Sequence, residues 1–113
     1  MRTRLNQLVL EGEKRATAGL WRYEYEGDGE ALDDVGERQV LLDSDDRPLA
    51  TVVVDRVEVH RFSDVPWEFA EAEGEGFESV EHWQRGHRDY YAGEGITVVD
   101  DDQVVCVWFS VTL

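Results

Sequence analysis

The segment Leu49-Ala50-Thr51-Val52-Val53-Val54-Asp55-Arg56-Val57-Glu58-Val59-His60-Arg61-Phe62 decides the fold. β-branched residues dominate it, and Val52, Val54, Val57 and Val59 mark one buried side. The apolar positions are even-numbered up to Val54 and odd-numbered from Val57. One residue near Asp55 is therefore extra, which predicts a long strand with a β-bulge.

Upstream of it, residues 38–43 read as a strand and Ser44-Asp45-Asp46-Arg47 as a turn. Trp21, Tyr23 and Tyr25 alternate with Arg22 and Glu24, which predicts a strand with one aromatic face, broken by Gly27-Asp28-Gly29-Glu30. Leu5, Leu8 and Val9 form the stripe of a short first helix, with Thr3 as its N-cap and Gly12 as its stop. Downstream, Asp64-Val65-Pro66 starts a helix carrying Trp67, Phe69, Ala70 and Glu71 to Glu73, and Gly74-Glu75-Gly76 ends it. Ser79 caps a further helix whose apolar face is Val80, Trp83, His87 and Tyr90 or Tyr91. Residues 96–99 and 104–113, joined through Asp100-Asp101-Asp102, read as a final hairpin. No repeat, linker or boundary interrupts the chain, so residues 1–113 form one domain. The element order predicts an α+β fold, a small antiparallel β-barrel with about three flanking helices.

The 113 residues carry a formal net charge of −15 and are 42% hydrophobic, enough for one modest core. Lys14 is the only lysine, against ten arginines. An acidic, lysine-poor surface with arginine retained fits a halophilic protein in a high-salt cytosol; an ordinary acidic domain is the alternative. Such a charge excludes affinity for nucleic acid built on a broad basic face. At about 1 M salt the Debye length falls to ~3 Å, so the charge does not exclude a nucleic-acid ligand. Cys106, the only cysteine, lies in an apolar strand and reads as a buried, inert thiol. No apolar run could span a bilayer and no signal peptide leads the chain, so a cytoplasmic protein with no membrane partner is expected.

Motifs for common cofactors fail. Gly27-Asp28-Gly29 and Gly74-Glu75-Gly76 lack the third glycine of a dinucleotide loop, and acidic neighbours would repel a pyrophosphate. Asp43-Ser44-Asp45-Asp46-Arg47-Pro48 starts like a calcium loop, but Pro48 occupies the glycine place. His60, His82 and His87 lack paired zinc spacing. No metal and no cofactor is expected.

Lys14 lies three residues before Thr17. Arginine cannot replace lysine in chemistry that needs a neutral amine, since guanidinium stays protonated. The stretch Leu8-Val9-Leu10-Glu11-Gly12-Glu13-Lys14-Arg15-Ala16-Thr17-Ala18-Gly19-Leu20 resembles the signature of the ASCH family, a branch of the PUA-like β-barrels. The resemblance continues through Val35-Gly36-Glu37, Phe62-Ser63-Asp64-Val65 and Phe69-Ala70-Glu71-Ala72-Glu73-Gly74. It ends in Glu81-His82-Trp83-Gln84-Arg85-Gly86-His87-Arg88-Asp89-Tyr90-Tyr91 and so covers nearly the whole chain. It implies a cleft that binds RNA or a nucleoside. One small branch of the family resembles amidohydrolases that deacetylate N4-acetylcytidine, and some other relatives are reported to cut RNA. For the amidohydrolase branch the resemblance implies Lys14 as proton acceptor, Thr17 as nucleophile and Glu73 as proton donor. That branch carries an arginine two residues after the threonine, where this chain has Gly19.

The chemistry is coherent from the residues alone. A threonine hydroxyl needs a base to take its proton, a desolvated lysine can be that base, and a glutamate can protonate a departing amine. Lys14 beside an ionised Glu73 would hold its proton, so the two must be separated or share one proton. Backbone amides near Gly12 are candidate oxyanion donors. Arg15, Trp21, Glu71, Trp83, His87 and Tyr91 are the further candidates for binding substrate, and Trp21 or Tyr23 could stack a base. Bland readings stand beside these. Lys14 could serve only the C-terminus of the first helix, Thr17 could start a strand, Glu71 and Glu73 could be solvated, and Trp83, His87 and Tyr91 could be core. A small monomeric amidohydrolase with a nucleoside or RNA ligand is the expected function, with a non-catalytic RNA-binding module as the alternative and a ribonuclease behind both.

Overall fold

A computed structural model describes residues 2–26 and 34–112, with the side chains of residues 2, 3 and 24–26 left aside. The first helix already includes Thr3, so Thr3 is not its N-cap, and the expected Gly27–Glu30 break lies outside the described residues. Helix α1 (Arg2–Leu10) leads into strand β1 (Ala16–Leu20) and a single turn of π-helix (Trp21–Glu26). Strands β2 (Arg38–Leu42) and β3 (Pro48–Arg61) follow, then a 3-10 turn (Phe62–Asp64), helices α2 (Trp67–Ala72) and α3 (Val80–Gly93), and strand β4 (Gln103–Thr112). The four strands form one antiparallel sheet in the order β1-β4-β3-β2. It curls into a half-barrel with the helices packed around it.

The long strand bends where its pattern changes phase. Val54 faces Phe109 while Arg56 faces Trp108, so Asp55 is the extra residue. The bulge moves Val57 onto the side that carries Val54, and both pack with Val105, Val107 and Trp21 in a small cluster. On the other face of β4, Val104 and Cys106 join Leu20, Phe62, Phe69, Trp83, Tyr91 and Val98 in the larger core beneath α2 and α3. Burial pushes the Cys106 thiol up to about 12, with the nearby carboxylates adding to it, so the thiol is inert.

Two expected strands are absent. The segment from Trp21 is a π turn because β1 runs out of partner. Its last pair is Leu20 with Val104, and β4 begins one residue before Val104. Beyond that point Arg22 donates to Asp102 at 3.0 and 3.2 Å and to the Thr97 carbonyl at 3.2 Å, anchoring the turn to a loop. The segment 96–99 is that loop. The Ile96 amide bonds back to the Tyr91 carbonyl at 2.8 Å, closing α3, and Val98 plugs the core. The final hairpin is therefore replaced by β4 pairing with β1 and β3. No helix among the described residues is long and apolar enough to cross a membrane.

Candidate active site

The connector between α1 and β1 delivers Lys14. Gly12 adopts φ 81°, which ends α1, and the amides of Glu13 and Lys14 both bond to the Leu8 carbonyl at 2.9 and 3.0 Å. The Gly12 amide bonds to Val9 and that of Arg15 to Ala72 at 2.7 Å, so these amides are spent. The expected oxyanion donors near Gly12 are thus engaged in closing the helix and joining it to α2.

The turn after α2 meets this connector backbone to backbone. Gly74 has φ 67°, and a Cβ there would lie 2.0 Å from the Glu13 carbonyl oxygen. Only glycine fits both the left-handed conformation and the close approach. The contact brings Glu73 and Glu75 to Lys14, whose side chain is 8% exposed. The Lys14 Nζ donates to Glu75 Oε2 at 3.0 Å and lies 3.5 Å from the Glu73 backbone carbonyl. It turns to these partners rather than to the end of α1.

The Glu73 carboxylate points the other way. Its Oε2 accepts from the Trp83 indole Nε1 at 3.1 Å and lies 3.4 Å from His87 Nε2. The amine's carboxylate partner is therefore Glu75, not Glu73. Trp83 is fully buried, and the His87 ring stacks on it with centroids 4.1 Å apart. Burial opposes a charge on His87, but the hydrogen bond and charge of Glu73 outweigh it, helped by the Trp83 carbonyl and Glu75, so its pKa is raised.

Lys14, Thr17, Glu73, Glu75, His87 and Tyr91 line one hollow of about 250 Å³, closed further by Leu5, Phe77 and Tyr90. Lys14 and Thr17 also border a second hollow of about 470 Å³ under α1, with Leu5, Asn6, Val9, Leu41, Val52 and Phe109 among its lining. Thr17 is exposed, and among the described residues nothing bonds its hydroxyl.

The sequence pattern of the ASCH domain matches residues 1–112. This chain belongs to the ASCH domain family. An ASCH domain structure from Lactobacillus crispatus JV V101 is 34% identical, with TM-score 0.82 over 96% of this chain and 70% of that one. A protein from Enterococcus faecalis V583 is 30% identical, with TM-score 0.81 over 96% of this chain and 67% of that one. A hypothetical protein at 18% identity and TM-score 0.64, covering 94% of this chain and 89% of that one, shares the fold alone. No curated protein matches the chain.

The remaining candidates of this ASCH domain scatter. Arg15 is exposed and borders a different hollow, with Asp55 and Ser110. Trp21 packs against the Val54 cluster, and Glu71 is an exposed residue of α2 that lines none of these hollows. Tyr23 meets the edge of the Tyr91 ring at 6.3 Å. Sequence reasoning missed Glu75, taken only as part of a helix-ending Gly-Glu-Gly, although an acid beside a left-handed glycine at a helix end was its available signal. It also missed Phe77, which sits over Gly86. A Cβ on Gly86 would approach the Phe77 ring at 2.9 Å.

Proposed function

We propose that this ASCH domain is a small amidohydrolase acting on an acylated nucleoside amine such as N4-acetylcytidine. One observation carries the reading: Lys14, Thr17 and Glu73 come from two distant segments and line the same hollow. Thr17 Oγ1 attacks the acyl carbon while Lys14 takes the hydroxyl proton, Glu73 gives a proton to the departing nitrogen, and the C–N bond breaks. Water then cleaves the threonyl ester and Lys14 returns the proton to Thr17. The contacts of the Lys14 Nζ with Glu75 Oε2 and the Glu73 backbone carbonyl fix where the amine sits in the hollow.

Incubation with N4-acetylcytidine should release cytidine. Lys14→Ala and Thr17→Ala should each lower kcat/KM by about 10²-fold or more. Absence of release by the wild type from low to molar salt removes this substrate.

The 54% exposed Tyr90 at the rim of the hollow favours a second reading, a module that stacks a base of RNA without cutting it. Oligonucleotide binding that survives Thr17→Ala and weakens with Tyr90→Ala would support it.

A further inference from the structure

His87 is held by two acceptors, and that fixes how many protons the buried acid and its neighbour carry. The His87 Nδ1 lies 2.9 Å from the Trp83 backbone carbonyl. A carbonyl only accepts, so Nδ1 bears a hydrogen. The other nitrogen, Nε2, faces Glu73 Oε2. A bare Nε2 against a bare carboxylate would set two lone pairs against each other in a site where Glu73 is 1% exposed. One more proton therefore lies between them; the Trp83 indole already donates to the same carboxylate oxygen, so the proton rests on Nε2 as an imidazolium. His82, one turn earlier on α3, provides the contrast: its Nδ1 accepts from the Glu78 amide at 3.1 Å, which leaves that nitrogen bare.

We infer that His87 is a positioning residue for Glu73: the two share one proton, on which the buried carboxyl group draws when a nitrogen in the hollow needs an acid hydrogen. The indole of Trp83 donates to the same oxygen and stacks beneath the imidazole, which keeps both groups in one orientation. Among the described residues nothing bonds Glu73 Oε1. With no buried side-chain oxygen left unsatisfied, this atom is the carboxylate's opening to the hollow. The other ionisable groups around the hollow are Glu75 and Lys14, already paired with each other, and the phenols of Tyr90 and Tyr91. The charge of Glu75 also favours the proton on His87.

The inference deepens the amidohydrolase reading and rests on it only for the final transfer. The shared proton moves to Oε2, the carboxyl group turns to carry it from the His87 side into the hollow, and the departing nitrogen takes it as the C–N bond breaks. Neutral imidazole and carboxylate remain. In the second half, the attacking water supplies the proton that restores the pair, while Lys14 returns its own to Thr17.

The test is a ¹⁵N NMR pH titration of His87 in the full chain, with Glu73→Gln as the partner variant and His82 as internal reference. In the wild type His87 should stay doubly protonated well above the ordinary histidine value of about 6.5. In Glu73→Gln, whose amide can still accept from Trp83 but carries no charge, half-protonation of His87 should need a proton concentration about tenfold higher or more. A wild-type His87 that titrates at or below the ordinary value, or one unmoved by Glu73→Gln, overturns the shared proton. Turnover gives the second readout. His87→Ala should shift the basic limb of the kcat/KM profile to lower pH, a change that mere loss of packing would not cause; an unshifted limb with lowered kcat overturns the relay. Should no amide be cleaved while His87 titrates as expected, the proton pair stands and the hydrolase reading alone falls.

Discussion

Gly74, whose backbone presses on Glu13, holds the turn that brings Glu75 to the Lys14 amine. Gly74→Ala should therefore do two things. It should cost more than about 2 kcal/mol, since both the positive φ and the backbone clash must be relieved, and it should splay Lys14 from Glu75. Urea unfolding reads the first effect and loss of ligand binding the second. Lys14→Arg separates charge from chemistry. Guanidinium can keep a contact with Glu75 but cannot accept the Thr17 proton, so the variant should fold with near wild-type thermal stability and lose turnover. The pH dependence of stability at His87 also has a definite sign. Its pKa is raised in the folded state, so its contribution is full below about 6.5 and is lost as pH rises through the higher folded value. The wild type should lose stability relative to Glu73→Gln across that interval, as followed by urea midpoints at successive pH values.

At the scale of elements, what was legible in the sequence was what local pattern controls. The phase change in the valines located the bulge at Asp55, and Ser79 does cap α3, accepting from the His82 amide at 3.1 Å. Ser79→Ala should accordingly cost about 1 kcal/mol, measured by thermal or urea unfolding. What was illegible depended on partners. Trp21 and Tyr23 have the spacing of a strand, but β4 begins too late to pair with them, and no local pattern reports where a distant strand starts. Ile96 to Val99 have strand composition, yet their backbone serves to close α3 and receive Arg22. The site divides in the same way. Lys14 and Thr17 could be found from one short motif, whereas the Glu75 partner depends on how two turns collide. The direction of the Glu73 side chain depends on Trp83, ten residues on.

At the scale of the whole molecule, the net charge of −15 is spread over a chain with few cations to offset it. The basic side chains are used locally: Arg22, Arg61 and Arg88 each pair with one aspartate of the 100–102 turn. Surface pairs of this kind contribute little each. The remaining repulsion between like charges is long-ranged at low ionic strength and screened at high. Thermal stability should rise from about 0.1 M to about 1 M salt, where the Debye length shrinks from ~10 to ~3 Å. A melting temperature that falls or stays flat over that range would show that self-repulsion does not limit this fold.

The most direct measurement for the site as a whole is mass spectrometry of the protein quenched during reaction with N4-acetylcytidine. Release of cytidine together with an acetyl group esterified to Thr17 is the predicted result. Unmodified Thr17 with no cytidine formed, or cytidine formed equally well by Thr17→Ala, would contradict it.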